Sequence, residues 1–184
     1  MKVWILIFIC MFSMPLLVAV LHFRMRKGQI LKIRQDYVKN ARYFGRSFSA
    51  LVEKALPEMK NGMIMLSRQE KVLETDGKQE FVQPEIEDLV IARNTIFCPQ
   101  QEDLHFQKEI YSEKDALFVK ENIRLRAVYS KKRIVFGNKI RLLRWADAEH
   151  AVAVYDECDL GERVSSGEQL VIGFDNIFHS LYAP

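Results

Sequence analysis

The decapeptides VYSKKRIVFG (residues 128–137) and VSSGEQLVIG (residues 164–173) follow one pattern and begin 36 residues apart. Each begins with valine, passes through a polar tip, and closes with a short hydrophobic run that ends in glycine. Self-similarity at a fixed distance indicates a repeat architecture, in which one structural unit stacks on the next.

Related segments surround these two and define the length of the repeat. IYSEKDALFV (110–119) and WADAEHAVAV (145–154) align with them, a weaker copy begins at residue 91 with IARNTIFC, and LYAP ends the chain. The leading positions of the five main segments are separated by 18, 17, 19 and 17 residues: Ile110, Val128, Trp145, Val164 and Leu181. One unit is therefore about 18 residues long.

The length of the unit predicts the fold class. A segment of a few alternating residues cannot bury its inner face alone, but it can when it is stacked on an equivalent segment. We therefore predict a mainly β protein with a parallel β-solenoid of triangular cross-section over residues 86–184. Small or polar residues are available for its corners: Ser130, Asp147, Ala148, Ser165, Ser166 and Gly167. The alternative is an antiparallel sandwich, which does not require whole 18-residue units to be similar in phase.

The amino-terminal segment has a different character. Residues 3–23 contain no charged side chain, and as a helix they would extend roughly 31 Å, about the thickness of a bilayer core. Residues 1–28 are therefore predicted to be a transmembrane anchor with its basic flank. A cleaved signal peptide is the alternative, but the apolar stretch is long for one and no small-x-small cleavage site follows it.

Basic residues follow the apolar segment and predict its orientation. Residues 24–46 contain a single acid, Asp36, although the whole chain carries a net charge of only +3. An excess of Lys and Arg marks the cytoplasmic side, so the carboxy-terminal domain is predicted to be cytoplasmic, at the bacterial inner membrane. Anionic lipids are then the expected partner of the membrane-proximal basic residues, and nucleic acid is not expected: Arg24, Arg26, Lys27, Lys32, Arg34, Lys39, Arg42 and Arg46.

Apolar residues recur at helical spacing over the next segment, which predicts an amphipathic helix within residues 29–60. They form one stripe: Ile30, Ile33, Tyr37, Ala41, Phe44, Phe48, Leu51 and Ala55. The helix either lies near the bilayer or packs its stripe on the following domain. Residues 61–85 are interpreted as a linker with a short strand.

The segments ADAEHAVAV and SSGEQLVIG, with the terminal FHSLYAP, resemble the bactofilins, the polymer-forming cytoskeletal proteins of bacteria, and in particular their divergent membrane-anchored members. The resemblance covers about residues 100–184. It implies a right-handed β-helix that assembles end to end into filaments without a nucleotide cofactor, lies along the inner membrane and recruits envelope-building proteins. The chain has fewer repeats than the family usually has, and it ends as a new repeat begins, which indicates a fragment or a last turn covered by a neighbouring subunit.

The geometry of a solenoid also favours self-assembly, because its terminal strands present unpaired backbone groups. The terminal segment is apolar and predicts an assembly face for a homopolymer, formed by Ile177, Phe178, Leu181 and Tyr182. The alternative is that these side chains fill the core of the last turn.

No motif predicts an enzyme. A solenoid acyltransferase would need a histidine as general base, but His105, His150 and His179 do not lie in hexapeptide repeats. His150 is expected on an outward corner. No pair of cysteines or histidines has metal-ligand spacing, and no glycine loop resembles a phosphate site. We therefore predict no catalytic residue, metal or cofactor, and a scaffold function, with a non-polymerising binding module for envelope or exopolysaccharide assembly as the alternative.

Three smaller features complete the sequence-based predictions. The cysteines, Cys10, Cys98 and Cys158, are odd in number and indicate buried thiols in a reducing compartment. The acids around Cys158 predict a solvated corner: Asp156, Glu157 and Asp159. Four arginines flank adjacent repeats and predict a basic strip on one face, able to bind an acidic partner or a lipid headgroup: Arg124, Arg126, Arg141 and Arg144.

Overall fold

The structure, a computed structural model, describes residues 4, 11–18, 20, 40–75, 81, 83–93 and 102–184. The chain divides into two units, Met1–Gln35 and Asp36–Pro184. In the first unit, residues 11–18 are helical. Within the described ranges, no helix has both the length and the apolar character needed to cross a bilayer. Most of the anchor predicted over residues 1–28 lies outside the described residues.

The second unit begins with helix α1 (Tyr43–Ala55) and a 3-10 turn (Leu56–Glu58), and the remainder is built of strands. In the described part of the chain the strands are β1 (Met63–Met65), β2 (Gln69–Thr75), β3 (Glu85–Ile86), β4 (Leu89–Ala92), β5 (His105–Ser112), β6 (Ala116–Phe118), β7 (Arg124–Ser130), β8 (Arg133–Phe136), β9 (Arg141–Ala148), β10 (Ala151–Val154), β11 (Arg163–Ser166), β12 (Gln169–Ile172) and β13 (Leu181–Tyr182).

These strands stack into three faces. The first face is formed by the beginnings of β5, β7 and β9 and continues through isolated bridges from Arg141 to Asp159 and from Asp159 to Ile177. The second face is formed by the ends of the same three strands together with β4, β11 and β13, and the third by β6, β8, β10 and β12. All these pairings are parallel, and the chain makes about five turns. The predicted parallel β-solenoid is confirmed, and the antiparallel sandwich is wrong.

The repeat length is 18 residues on the third face, where Ile134, Val152 and Leu170 are successive partners. On the second face, Val128 pairs with Ala146, and the predicted alignment at Trp145 is wrong by one residue. The same shift occurs at the first repeat, where Val90 rather than Ile91 pairs with Ile110. A shift of one residue moves a side chain to the other side of a strand, so Trp145 points outward and not into the solenoid.

Inward-facing apolar side chains fill the solenoid. Aromatic rings from successive turns are in contact, with ring centroids 6.3 Å apart for Phe106 and Phe118 and 5.9 Å apart for Phe118 and Phe136. All three rings are completely buried. Edge-to-face and tilted pairs of this kind stabilise a core by about 0.5–1.5 kcal/mol beyond their buried area.

Helix α1 packs on the outer side of the second face. Phe48 contacts the rings of Trp145 and Tyr111, at centroid distances of 5.6 Å and 6.5 Å, and a second apolar cluster forms between the helix and the sheet. The prediction that the helix packs on the following domain is confirmed for Tyr43–Ala55, and residues 29–39 lie outside the described part. The predicted stripe is rotated, because Leu51 is 52% exposed while Val52 is buried.

Gly45 explains how closely the helix approaches the sheet. A Cβ atom at this position would collide with the Cβ and the carboxyl group of Asp147 on β9. Glycine is therefore required here for packing, although it weakens an isolated helix by about 1 kcal/mol relative to alanine.

The sheet begins earlier than predicted. β2 pairs in parallel with β4, and β1 pairs with β2 in an antiparallel hairpin. Both strands lie within residues 61–85, the segment interpreted as a linker, because Val72 and Ile64 bury side chains beneath the helix rather than exposing them.

The corner that precedes the first face has a recurring backbone conformation that the sequence analysis did not predict. One residue in each turn has a positive φ between 53° and 59°: Asp103, Asn122, Lys139, Glu157 and Asp175. Asp and Asn adopt this left-handed conformation more readily than other non-glycine residues, but Lys139 and Glu157 give no such signal. The other expected corner, around Ser130, Ala148 and Ser166, follows the second face at the ends of β7, β9 and β11.

Candidate assembly site

The last turn exposes most of the residues predicted as an assembly face. Ile177 is 66% exposed, Phe178 48% and Tyr182 41%. Leu181 differs, because it is half-buried and packs against the solenoid core. The alternative, that these side chains fill the core, therefore applies to Leu181 alone among the four.

Phe174 belongs to the same surface and was missed by the sequence analysis. Its side chain is 80% exposed, more than any other large hydrophobic side chain of the described second unit. Its backbone N–H donates to Asp156 Oδ1 at 2.7 Å, which holds the backbone of this residue at the corner. The signal that could have found it is its position directly before Asp175, the left-handed residue of that corner.

The terminal strands have free edges in the described part of the chain. β12 pairs only with β10, and β13 pairs only with β11. Exposed strand edges of this kind can pair with another chain, so the last turn combines unpaired backbone groups with exposed apolar side chains.

The predicted membrane-proximal basic residues mostly lie outside the described part, which contains only Arg42 and Arg46 of the eight. Arg46 is exposed and lines a groove of about 510 Å³ between α1 and β7, with Glu53, Tyr129 and Lys131. Arg42 is only 5% exposed, so its charge is not available to a lipid headgroup.

Arg42 instead forms a buried pair with Asp147 at the start of α1. Its Nε lies 2.8 Å from Asp147 Oδ1, and its Nη2 donates to Asp147 Oδ2 and to the Ala148 carbonyl at 3.2 Å and 3.0 Å. Ser165 Oγ donates to the same carboxylate at 2.7 Å. Glu149 adds a second acidic partner, 3.0 Å from Nη2. The arginine thus connects the helix to strands β9 and β11 (through Ser165).

Burial disfavours the charged form of both members of this pair, and their mutual contacts oppose that effect. Burial raises the pKa of Asp147, and the hydrogen bonds from Arg42 and Ser165 oppose that rise. Burial also acts against the charged form of Arg42, but the bonds and charges of Asp147 and Glu149 outweigh it and raise the pKa of the guanidinium. A guanidinium remains charged in proteins at any ordinary pH, so removal of Asp147 would leave a buried cation with Glu149 as its acidic partner.

A second polar network joins the middle of α1 to the sheet. Glu53 accepts hydrogen bonds from Tyr111 Oη and Ser49 Oγ, both at 3.2 Å, and lies 2.9 Å from Lys131 Nζ. The hydrogen bond from Lys131 is the main reason that the pKa of Glu53 is lowered. Burial raises the pKa of Tyr111 to about 12, so its hydroxyl remains a proton donor. The network fixes the orientation of the helix.

The predicted basic strip is present in part. Arg124 and Arg141 are register partners on the first face, and both are exposed. They line a groove of about 500 Å³ with Leu143, which is 66% exposed. Arg126 is neutralised, because its Nε lies 3.2 Å from Glu109 Oε1.

The acidic residues around Cys158 lie at a corner of the solenoid, as predicted. Asp156 has a structural role, since its carboxylate accepts from the Phe174 N–H. Glu157 and Asp159 are exposed and form no ion pair within the described residues. The Cys158 thiol is buried and contacts the Gly137 carbonyl at 3.1 Å, and burial raises its pKa. Cys10 and Cys98 lie outside the described part.

The three histidines of the described part, His105, His150 and His179, lie apart from one another. His150 is exposed on the corner between β9 and β10, as predicted, and its Nδ1 lies 2.6 Å from Glu168 Oε1 of the next turn. His105 is half-buried beside Arg124 on the first face, and His179 is exposed in the last turn. Among the described residues, no group of three or more His, Cys, Asp or Glu side chains could hold a metal ion.

Comparison with known proteins adds no assignment: no protein-family model, curated protein or solved structure matches this chain.

Proposed function

We propose that this protein is a membrane-anchored, self-assembling cytoskeletal scaffold that positions envelope-building proteins at the bacterial inner membrane. The observation that carries the proposal is the last turn of the solenoid, where the strand edges of β12 and β13 and four large apolar side chains are accessible together: Phe174, Ile177, Phe178 and Tyr182. Exposed apolar surface beside open strand edges favours association with another chain. We include in this proposal that the chain is related to the bactofilins and that its β-solenoid is right-handed.

The regular stack supports an architectural role. Polar contacts between successive turns join Asp115 to Arg133, Glu121 to Lys139, and His150 to Glu168. These contacts add to the backbone hydrogen bonds that join successive turns along the solenoid. The apolar segment over residues 3–23 would hold such rods in two dimensions, which raises their effective concentration and favours weak contacts.

Electron microscopy of the full chain, purified in detergent without nucleotide, tests the proposal. We expect filaments or sheets, and we expect Phe178→Glu combined with Tyr182→Glu to abolish them, because both side chains are exposed in the last turn. The matched control places the same charges at exposed apolar positions elsewhere, Met65→Glu with Val119→Glu, and should leave assembly intact. Circular dichroism should show the same strand content in all three samples: the wild type, the end variant and the control.

A monodisperse wild-type chain under these conditions would contradict self-assembly through the last turn. It would favour the non-polymerising binding module instead.

A further inference from the structure

Charge is segregated along the first face of the solenoid. The turns are counted here by their first-face residues, which are in order His105, Arg124, Arg141, Asp159 and Ile177. On this face and the corners beside it, the second and third turns carry a basic half, formed by Arg124, Lys139, Arg141 and Arg144. The fourth and fifth turns carry an acidic half, formed by Glu157, Asp159, Glu162 and Asp175. Within the described residues, Lys139 is the one member of these eight with an ion pair, to Glu121 at 3.1 Å. Arg141 and Asp159 are register partners at the boundary, yet they form no salt bridge with each other.

We infer that the first face binds the first face of a second copy of this chain, with the two solenoid axes antiparallel. A two-fold axis that lies in the interface, along the strand direction, would place the third turn of each copy opposite the fourth turn of the other. Isologous contacts of this kind use the same patch on both subunits. This inference rests on the proposed self-association but uses the outer side of the first face, centred on Arg141 and Asp159, and not the open strand edges of the last turn.

The register specifies which side chains meet. Residues at equivalent positions of successive turns form a column that runs along the solenoid. Arg141 and Asp159 occupy one column, one turn apart. Because Trp145 pairs with Arg163, the preceding residues Arg144 and Glu162 occupy another column. Antiparallel stacking therefore places Arg141 opposite Asp159 of the second copy and Arg144 opposite its Glu162. Adjacent turns are about 4.8 Å apart, so the spacing of the charges is identical on both copies. Each contact occurs twice because of the symmetry.

The apolar surface agrees with this pairing. Leu143 is 66% exposed, and the equivalent position one turn later is Gly161, where a side chain would collide with the Leu142 carbonyl. Antiparallel stacking places Leu143 of each copy over Gly161 of the other, where no side chain is present to meet it. Parallel stacking of the same face would instead place the basic half on the basic half, which like-charge repulsion disfavours.

An acidic protein or an anionic membrane fits this face less well than a second copy does. Either ligand would bind the basic half but would be repelled by the acidic half, which directly continues it along the same columns. Lys139, Arg141 and Arg144 each have an acidic residue at the equivalent position one turn later, namely Glu157, Asp159 and Glu162, so this part of the surface is complementary to its own reverse.

Charge exchange tests the inference in the full chain in detergent, by sedimentation velocity, with Phe178→Glu and Tyr182→Glu present throughout to remove the last-turn contact. We expect salt-sensitive dimers. Arg141→Glu with Arg144→Glu should weaken dimerisation by about tenfold or more, and so should Asp159→Lys with Glu162→Lys. An equimolar mixture of these two variants should recover dimers, because the acidic side chains introduced in one variant then meet the basic side chains introduced in the other, and the unsubstituted pairs are unchanged. The combined fourfold variant should recover them as well. Lys54→Glu with Lys132→Glu, exposed positions outside the face, is the control and should leave dimers unchanged.

Two outcomes would overturn the inference: dimers that are insensitive to both reversals, and reversed variants that stay monomeric when mixed. An absence of dimers in the unreversed protein would overturn it as well. The result is separable from the proposed function. Filaments in the intact chain with no effect of charge exchange would retain the scaffold and reject this contact, whereas dimers without filaments would retain the contact and reject the scaffold.

Discussion

Arg42 and Asp147 form a bidentate ion pair across 105 residues of sequence, with Nε to Oδ1 at 2.8 Å and both side chains at or below 5% exposure. The pair joins the residue that directly precedes helix α1 to the outer side of strand β9. Together with Gly45, which packs against Asp147, it sets the position of the helix over the solenoid.

We expect Arg42→Ala to lower the free energy of unfolding by about 3–5 kcal/mol, because the Asp147 carboxylate would remain buried without its cation. Denaturant titration monitored by circular dichroism measures this change. Arg46→Ala is the matched control, since Arg46 is exposed on the same helix and should change stability by less than about 0.5 kcal/mol. Equal effects of the two substitutions would show that the buried pair does not hold the helix in place.

Gly45→Ala is expected to destabilise the protein, opposite to the effect predicted from helix propensity. Alanine is favoured over glycine in a helix by about 1 kcal/mol, but its Cβ would collide with Asp147 on β9. The same thermal or denaturant unfolding experiment measures the sign of the change. The control is Ala50→Gly at an exposed position of α1, where only propensity acts and a loss of about 1 kcal/mol is expected. A stabilising Gly45→Ala would mean that the helix does not approach β9 as closely as described.

Ser166 and Ser130 occupy one inward column, but their hydroxyl groups differ. Ser130 Oγ donates to the Lys114 carbonyl at 2.6 Å and accepts from the Lys132 N–H at 3.0 Å, whereas Ser166 Oγ is buried without a hydrogen-bond partner. We expect Ser166→Ala to leave stability unchanged or to raise it, since a buried unpaired hydroxyl is unfavourable. Ser130→Ala should lower stability by about 1 kcal/mol.

The neighbouring turn supports this contrast, because Ala148 is the register partner of both Ser130 and Ser166. An alanine side chain is therefore accommodated in the column. The unfolding free energies of the two variants, measured under the same conditions, test this prediction. A decrease in unfolding free energy for Ser166→Ala as large as that for Ser130→Ala would contradict it.

The solenoid could be predicted from the sequence because apolar side chains recur once in each repeat. The exact register between the repeats could not be predicted. Trp145 and Ala146 are both apolar and adjacent, and only the presence of α1 on the outer side makes the larger residue the outward one. The Arg42–Asp147 pair could not be predicted, since no local pattern connects residues so distant in sequence. The apolar character of the terminal residues was predictable from composition. That Leu181 packs against the core while Phe178 is exposed could not be predicted, because it depends on the fold of the last turn.

The ion pair between Asp115 and Arg133 is expected to make the stability of the protein depend on pH in the acid range. Arg133 Nη2 lies 2.5 Å from Asp115 Oδ2, and this hydrogen bond is the main reason that the pKa of Asp115 is lowered in the folded state. A carboxyl with a lowered folded pKa stabilises the protein above its unfolded pKa, about 3.9 for Asp. That stabilisation is lost as the pH falls further, through the folded pKa.

Asp115→Asn should therefore reduce the stability of the protein at neutral pH and should flatten its decline below about pH 4. Unfolding free energies measured from neutral pH into the acid range give both quantities. Glu58→Gln removes an exposed carboxylate that has no ion pair within the described residues, so it should reproduce the wild-type curve. An Asp115→Asn curve parallel to the wild type through the acid range would show that the contact with Arg133 does not favour the ionised carboxylate in the folded protein.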